Sequence, residues 1–194
     1  VLINLEGIDG CGKSTQSQFL IEEFEKNDEK TILLKEPTKG KYGKKLWEML
    51  RGKRKATTEE ILELFVMDRK EHVNEKIRPA LAEGKIVLMD RYYYSTMAYQ
   101  AAAGIDVSRI RKDNKFAPKP DIVLIFDLPA DLAMKRVRGH SVADVFEKEE
   151  HLEKVRKAYL DLENDPLVRI VDATRTPEAI FEEVWKLVSE VKNG

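Results

Sequence analysis

An α/β fold, with a doubly wound sheet of five parallel strands flanked by helices, is what this 194-residue chain predicts. Three observations carry the expectation. Five short runs rich in Ile, Val and Leu recur along the chain, nearly continuous rather than alternating, as suits strands buried on both faces of a parallel sheet. Stretches with helical periodicity separate them, and alternating strand and helix implies right-handed crossovers. The first run opens into a glycine-rich loop and leaves it as a helix.

In order, the first strand is "VLIN" (1–4), followed by Leu5, Glu6 and the loop "GIDGCGKST" (7–15). The loop has the pattern G-x-x-x-x-G-K-[ST] in register, with Gly7, Gly12, Lys13 and Ser14. Glycines let successive backbone N–H groups turn inward around phosphates, the lysine adds a point charge, and the hydroxyl suits a hydrated Mg²⁺. "TQSQFLIEEFEKN" (15–27) then reads as an amphipathic helix with Phe19, Leu20 and Phe24 on one face. Strand, loop and helix in this order aim the helix N-terminus at a bound anion. The second strand is "TILLKEP" (31–37). A helix follows over 58–77, where Thr57 and Glu60 have capping-box spacing. Pro79 kinks or restarts it, and Gly84 ends it. The remaining strands are "KIVLMD" (85–90), "DIVLIFDL" (121–128) and "VRIVDA" (168–173). The stretch "RVRGHSVADVFEKEEH" (136–151) has weak apolar signal and fits either a cover over the phosphates or a plain surface loop.

Length fits one domain, 1–194, with enough chain to bury a substantial core. Basic and acidic residues number 34 and 35 and intermingle, for a formal charge of −1. A clustered basic face for nucleic acid is therefore not expected. Cys11 is the single cysteine, so no internal disulfide forms and a reducing, cytoplasmic setting is expected. Within the loop it reads as a small space-filling residue, because backbone N–H groups bind the phosphates there. No apolar run reaches membrane-spanning length and no targeting segment is read, so no membrane partner is expected.

Ligands of open α/β sheets collect at the carboxyl ends of the strands. There lie Asp9 and the loop, "KEPTKGK" after the second strand, and Asp90-Arg91 directly after "IVLM". An isolated Asp-Arg pair is usually a surface ion pair, but at this edge Arg91 can fork onto a phosphate and Asp90 can reach hydrated Mg²⁺. Phe65 and Arg69 are four apart and share a helix face. Core packing with a solvated neighbour is the plain reading. A nucleobase stacked on the ring and bonded at its edge is the functional one.

The chain resembles the thymidylate kinases. "EGIDGCGKSTQ", "KEPT", "LELFVMDRKEH", "DRYYYSTMAYQ", "KPDIVLIFDLPADLAMKR", "FEKEEHLEKVRKAYL" and "VDATRTPEAI" fall in that family's order over nearly the whole chain. The resemblance implies a P-loop kinase fold with a short lid near 136–151, and transfer of the ATP γ-phosphoryl to dTMP with Mg²⁺, giving ADP and dTDP. It implies a homodimer as well. Gly7, Asp9, Gly10, Cys11, Gly12, Lys13, Ser14 and Thr15 would then surround the ATP phosphates, with Ser14 and Asp90 at the metal. Ala173 and Thr174, in "DATRTP", would hold adenine through the backbone. For the acceptor, Asp9 would lie near sugar and phosphate, with Glu36, Pro37 and Lys39 in the second-strand motif. Phe65 would stack on thymine, and Arg69 would address the base edge or the phosphate region. Arg91 would position the acceptor phosphate, Ser95 and Thr96 would face the base, and Tyr99 would crowd the sugar 2′ position.

Three departures from the family pattern matter. Lys35 stands where arginine usually precedes Glu-Pro, keeping the charge without a bidentate fork. In the lid, Asp144, Val145, Phe146 and Glu147 lack the usual arginine, and Gly10 and Cys11 stand where some members place one. The catalytic cations beyond Lys13 and Arg91 are then expected to be Arg136 and Arg138, which otherwise read as a basic helix end favourable to its dipole. Three alternatives are weighed: another nucleoside monophosphate kinase, a deoxynucleoside kinase, and a nucleotide switch without a small acceptor. A hydroxyl acceptor wants a carboxylate base, a part Glu36 can fill. Tryptophan is then expected to follow closely, and Trp47 lies eleven residues on.

Overall fold

The computed structural model describes residues 1–136 and 142–193, with the side chains of 142–148 and 193 outside the description. β1 (Leu2–Glu6), β2 (Thr31–Lys35), β3 (Ile86–Asp90), β4 (Ile122–Asp127) and β5 (Val168–Asp172) form one sheet in the order β2-β3-β1-β4-β5. Every pairing is parallel. The chain runs from β1 to the edge at β2, returns to β3 beside β1, and crosses to β4 and β5 on the other side, so the expected doubly wound sheet is present. Central strands β1 and β3 are buried along their whole length and β4 nearly so. The edge strands depart from the both-faces expectation: β2 leaves Leu33 exposed and β5 leaves Arg169 exposed, since an edge strand has a neighbour on one side only.

α1 (Lys13–Lys26) begins inside the glycine loop, two residues earlier than periodicity indicates. It packs on α9 (Pro177–Asn193) through edge-on aromatic contacts, Phe24 with Trp185 at 5.3 Å and Phe19 with Phe181 at 5.5 Å. Leu20 and Phe24 are fully buried. Each such side chain contributes about 1.5–3 kcal/mol on leaving water. α2 (Lys41–Leu50) and α3 (Thr58–His72) follow β2. The capping box forms as the spacing predicts: Thr57 Oγ1 accepts from Glu60 N–H, and the Glu60 carboxylate accepts from Thr57 N–H. The helix does not break at Pro79. It widens into a π-helical turn over Val73–Ile77 and continues as α4 (Arg78–Ala82), with Pro79 directly after the widened turn. Gly84, at φ 72°, closes it as expected.

α5 (Tyr93–Ala102) and α6 (Val107–Asp113) link β3 to β4. α7 (Ala130–Arg136) and the 19-residue α8 (Val142–Leu160) link β4 to β5. Residues 142–151 therefore lie on a helix rather than in a surface loop, while 137–141 are outside the described residues.

Candidate active site

The carboxyl edges of β1 and β3 lie side by side, with Leu5 opposite Asp90. Everything that follows these two strands is thus brought to one place. After β1 comes the glycine loop. Gly7 adopts φ 131°, and a Cβ there would sit 2.7 Å from the Phe126 carbonyl and 2.8 Å from Cys11 Sγ, so only glycine fits. Gly12, at φ 101°, begins α1 without a side-chain cap, and the first turn holds no acidic residue, leaving its N–H groups to an anion. Lys13 Nζ folds back onto the Gly7 and Ile8 carbonyls, 3.0 Å from each. Burial first, and then the like charge of Arg91, push its ammonium below the ordinary lysine value, with Cys11, Asp90 and Asp9 partly offsetting them.

After β3, Arg91 sits at φ 70°, a left-handed conformation costly for a side-chain-bearing residue and held by its N–H bond to the Leu5 carbonyl at 3.1 Å. Its guanidinium reaches back to the loop, with Nη2 2.7 Å from Asp9 Oδ1. The same nitrogen donates to Tyr99 Oη, and the guanidinium carbon lies 5.2 Å from the Tyr99 ring centre. Partial burial pushes the Asp9 carboxyl up, but the charges of Arg91 and Lys13 outweigh it and leave it below the usual aspartate value. Burial also raises the Tyr99 phenol, against the pull of Arg91. Beside Arg91, Asp90 pairs through Oδ2 with Lys35 Nζ at 2.6 Å. Its Oδ1 is buried with no partner among the described residues.

The "KEPT" motif and α3 form a second, drier cluster. Arg69 is 1% exposed and makes contacts from all three guanidinium nitrogens. Nε and Nη2 lie 2.8 and 2.7 Å from Glu36 Oε2, Nη1 donates to Asn114 Oδ1 at 2.6 Å, and Nη2 donates to Thr96 Oγ1 at 3.1 Å. The other Glu36 oxygen lies 3.1 Å from His72 Nδ1. One turn before, Asp68 accepts from both the N–H and the hydroxyl of Thr38, tying the motif to α3. Phe65 is half-buried and does not pack on the central core, so the ring is not simply a core residue. Pro37 is half-buried and Lys39 exposed. Phe65 and Arg69, one turn apart, thus have different surroundings, a half-open ring and a sealed ion pair.

A family model described as thymidylate kinase matches residues 5–184. Relatives agree over nearly their full lengths. A probable thymidylate kinase of Archaeoglobus fulgidus is 42% identical over 194 residues, covering 100% of this chain and 97% of that protein. A thymidylate kinase of Desulfotalea psychrophila is 42% identical over 193 residues, covering 98% and 95%. One of Xanthomonas oryzae is 39% identical over 189 residues, covering 97% and 82%. This chain belongs to the thymidylate kinase family.

The residues that the family resemblance singled out are distributed unevenly in space. Asp9, Arg91, Ser95 and Tyr99 are linked by direct contacts, while Glu36, Arg69 and Thr96 form the sealed cluster behind them. Ala173 is buried at the end of β5, its N–H on the Asp127 carbonyl, and Thr174 is exposed beside it. Arg136 donates from Nη2 to the Ala173 carbonyl at 3.3 Å, which places it by this segment. Arg138 lies outside the described residues, as do the side chains of Asp144, Val145, Phe146 and Glu147. Sequence reasoning missed Glu6, Asp68, His72, Asn114 and Tyr159. Glu6 carried a legible signal, an acid closing an otherwise apolar strand, but the others become partners only through folding.

Proposed function

We propose that this protein transfers the γ-phosphoryl group of ATP to dTMP, giving ADP and dTDP. The observation that carries the reading is the 2.7 Å contact between Arg91 and Asp9 in a chain of this family. It ties an arginine at the carboxyl edge to the phosphate loop, so two anion-binding groups face one space, as a phosphate acceptor beside a phosphate donor requires. Phosphoryl transfer demands positioning and charge stabilisation rather than covalent chemistry. The Gly7–Thr15 loop and the N-terminus of α1 receive the donor phosphates. Lys13 leaves the loop carbonyls for the β/γ oxygens, where its charge meets the charge that develops in transfer. Arg91 holds the acceptor phosphate in line, and no general base is needed because that oxygen is already ionised at neutral pH. Phe65 stacks on thymine, with Arg69, Ser95 and Thr96 behind the base edge, and Tyr99 excludes a 2′-hydroxyl. Glu36, Pro37 and Lys39 shape the acceptor wall, and Ala173 and Thr174 hold adenine. Arg138 supplies the lid cation, since Arg136 is engaged at Ala173.

The residues present fit Mg²⁺. Asp90 offers a buried oxygen without a partner among the described residues, and Ser14 an exposed hydroxyl at the start of α1. Mg²⁺ keeps waters and phosphates as most of its ligands, so few protein groups suffice. When bound, it neutralises charge on the transferring phosphates. A homodimer in the cytoplasm is part of the proposal. Leu50 on α2 and Met67 on α3 expose apolar surface that suits a second copy of the chain.

A hydroxyl-phosphorylating reading is disfavoured by the state of Glu36, the base candidate that the sequence offers for it. That carboxylate is 2% exposed and has both oxygens engaged by Arg69 and His72. A coupled ADP-release assay separates the readings. Release should depend on dTMP and not on thymidine. Release without an acceptor, or with thymidine alone, would overturn the proposal.

A further inference from the structure

Glu6 closes β1 and is completely buried, yet no step described so far uses it. Its carboxylate has four partners. Oε1 accepts the N–H groups of Tyr92 at 2.7 Å and Ser95 at 3.1 Å. Oε2 accepts the hydroxyls of Ser95 at 2.5 Å and Tyr159 at 2.9 Å. Two consequences follow from this geometry. Tyr92, the residue that precedes α5, makes no side-chain cap of its own, so a strand 86 positions away caps that helix. Furthermore, an ionised carboxylate only accepts, so the protons of the two hydroxyls run to Glu6, directly or across the 2.9 Å that separates Ser95 Oγ from Tyr159 Oη. Each then turns a lone pair outward, and Arg91 Nη1 donates to both, at 3.1 Å to Ser95 Oγ and 3.3 Å to Tyr159 Oη.

We propose that Glu6 is the positioning residue for Arg91: by fixing the direction of the Ser95 and Tyr159 hydroxyl protons and the start of α5, it aims the guanidinium at the acceptor phosphate. Three features of the site converge on this role. Arg91 occupies a strained backbone position that needs outside support. Its Nη2 is shared between Asp9, which is 72% exposed, and Tyr99, so Nη1 is the end gripped by buried groups. Burial raises the Glu6 carboxyl above the usual glutamate value, opposed by Arg91 and by the donors Ser95, Tyr92 and Tyr159. A carboxylate kept at such a cost calls for a role, and Arg91 is the cation that opposes the cost.

The inference rests on the reading of Arg91 as the acceptor-phosphate residue, and the test separates the two. Steady-state kinetics would be measured on the full chain for Arg91→Lys, Glu6→Gln, the Glu6→Gln/Arg91→Lys double variant and Tyr159→Phe. Glu6→Gln is isosteric but brings a donor to one arm, reversing a hydroxyl. It should raise KM for dTMP about ten- to a hundred-fold, with KM for ATP within about threefold. The double variant should be no worse than about threefold beyond the poorer single, because both act on one guanidinium. Tyr159→Phe removes a single hydroxyl and should raise the same KM about fivefold. It also carries the test should Glu6→Gln fail to fold. Multiplicative effects in the double variant, or an unchanged KM for dTMP in Glu6→Gln while Arg91→Lys is impaired, would overturn the role of Glu6 alone. An unchanged KM in Arg91→Lys would overturn the reading of Arg91, and the inference with it.

Discussion

The donor and acceptor sides of the proposed site are built from different materials. The phosphate loop is backbone and glycine, and its one buried cation rests on its own loop's carbonyls. The acceptor side is a lattice of buried side chains: Glu36, Arg69, His72, Asn114 and Thr96 in one cluster, Glu6, Ser95, Tyr159 and Arg91 in the next. A loop of N–H groups suits a ligand whose phosphates bring most of the contacts. Fixing one nucleoside monophosphate against its relatives needs directional groups held still, and buried networks provide that. Asp9 with Arg91 is a surface contact between the two sides.

If this contrast is right, substitutions on the donor side change chemistry while those on the acceptor side also change stability. Lys13→Ala gives the largest expected effect: kcat should fall about 10³-fold or more, with KM for dTMP little changed. Near-normal turnover would remove the phosphate loop from the mechanism. The arginines of the lid region come next. Arg138→Ala should lose about 10³-fold in kcat, as expected for an arginine meeting phosphoryl charge, whereas Arg136→Ala should chiefly raise KM for ATP. Two kcat values near the parent would exclude both as the cation.

On the acceptor side, Glu36→Ala leaves Arg69 buried without its carboxylate and should cost about 3–5 kcal/mol of stability. Denaturant unfolding of Glu36→Ala and Lys13→Ala side by side tests the comparison most directly, since equal losses would erase it. The smallest effect concerns the sugar. Tyr99→Ala should narrow the preference for deoxyribose over ribose acceptors by about tenfold in kcat/KM, and Tyr99→Phe should keep it. An unchanged ratio in Tyr99→Ala would take Tyr99 out of sugar recognition.

The same contrast explains what was legible in the sequence. The glycine loop is local: four residues in fixed register specify a turn and a helix start, and the sheet follows from five apolar runs. The acceptor networks are not local. Arg69 meets Glu36, Asn114 and Thr96 from three other parts of the chain, and Glu6 meets Tyr159 across 153 positions. Periodicity marks Arg69 as a helix-face residue beside Phe65 but cannot reveal that one is sealed and the other half-open. The π-helical turn was equally hidden, because Pro79 predicts an interruption without saying that the helix absorbs it through widening. Family resemblance named the positions proposed for the site, though not the buried partners that hold several of them.

Cys11 gives the tightness of the loop a practical meaning. The chain's only thiol is 1% exposed, pressed against Gly7 within the loop proposed to hold the ATP phosphates. An alkylating reagent can reach it only when that loop opens, so labelling reads the opening equilibrium of this segment apart from global unfolding. A nucleotide seated on the loop holds it closed in proportion to its occupancy. The molecule therefore carries a built-in clock for the proposed donor site, one whose slowing would count bound ATP without any turnover.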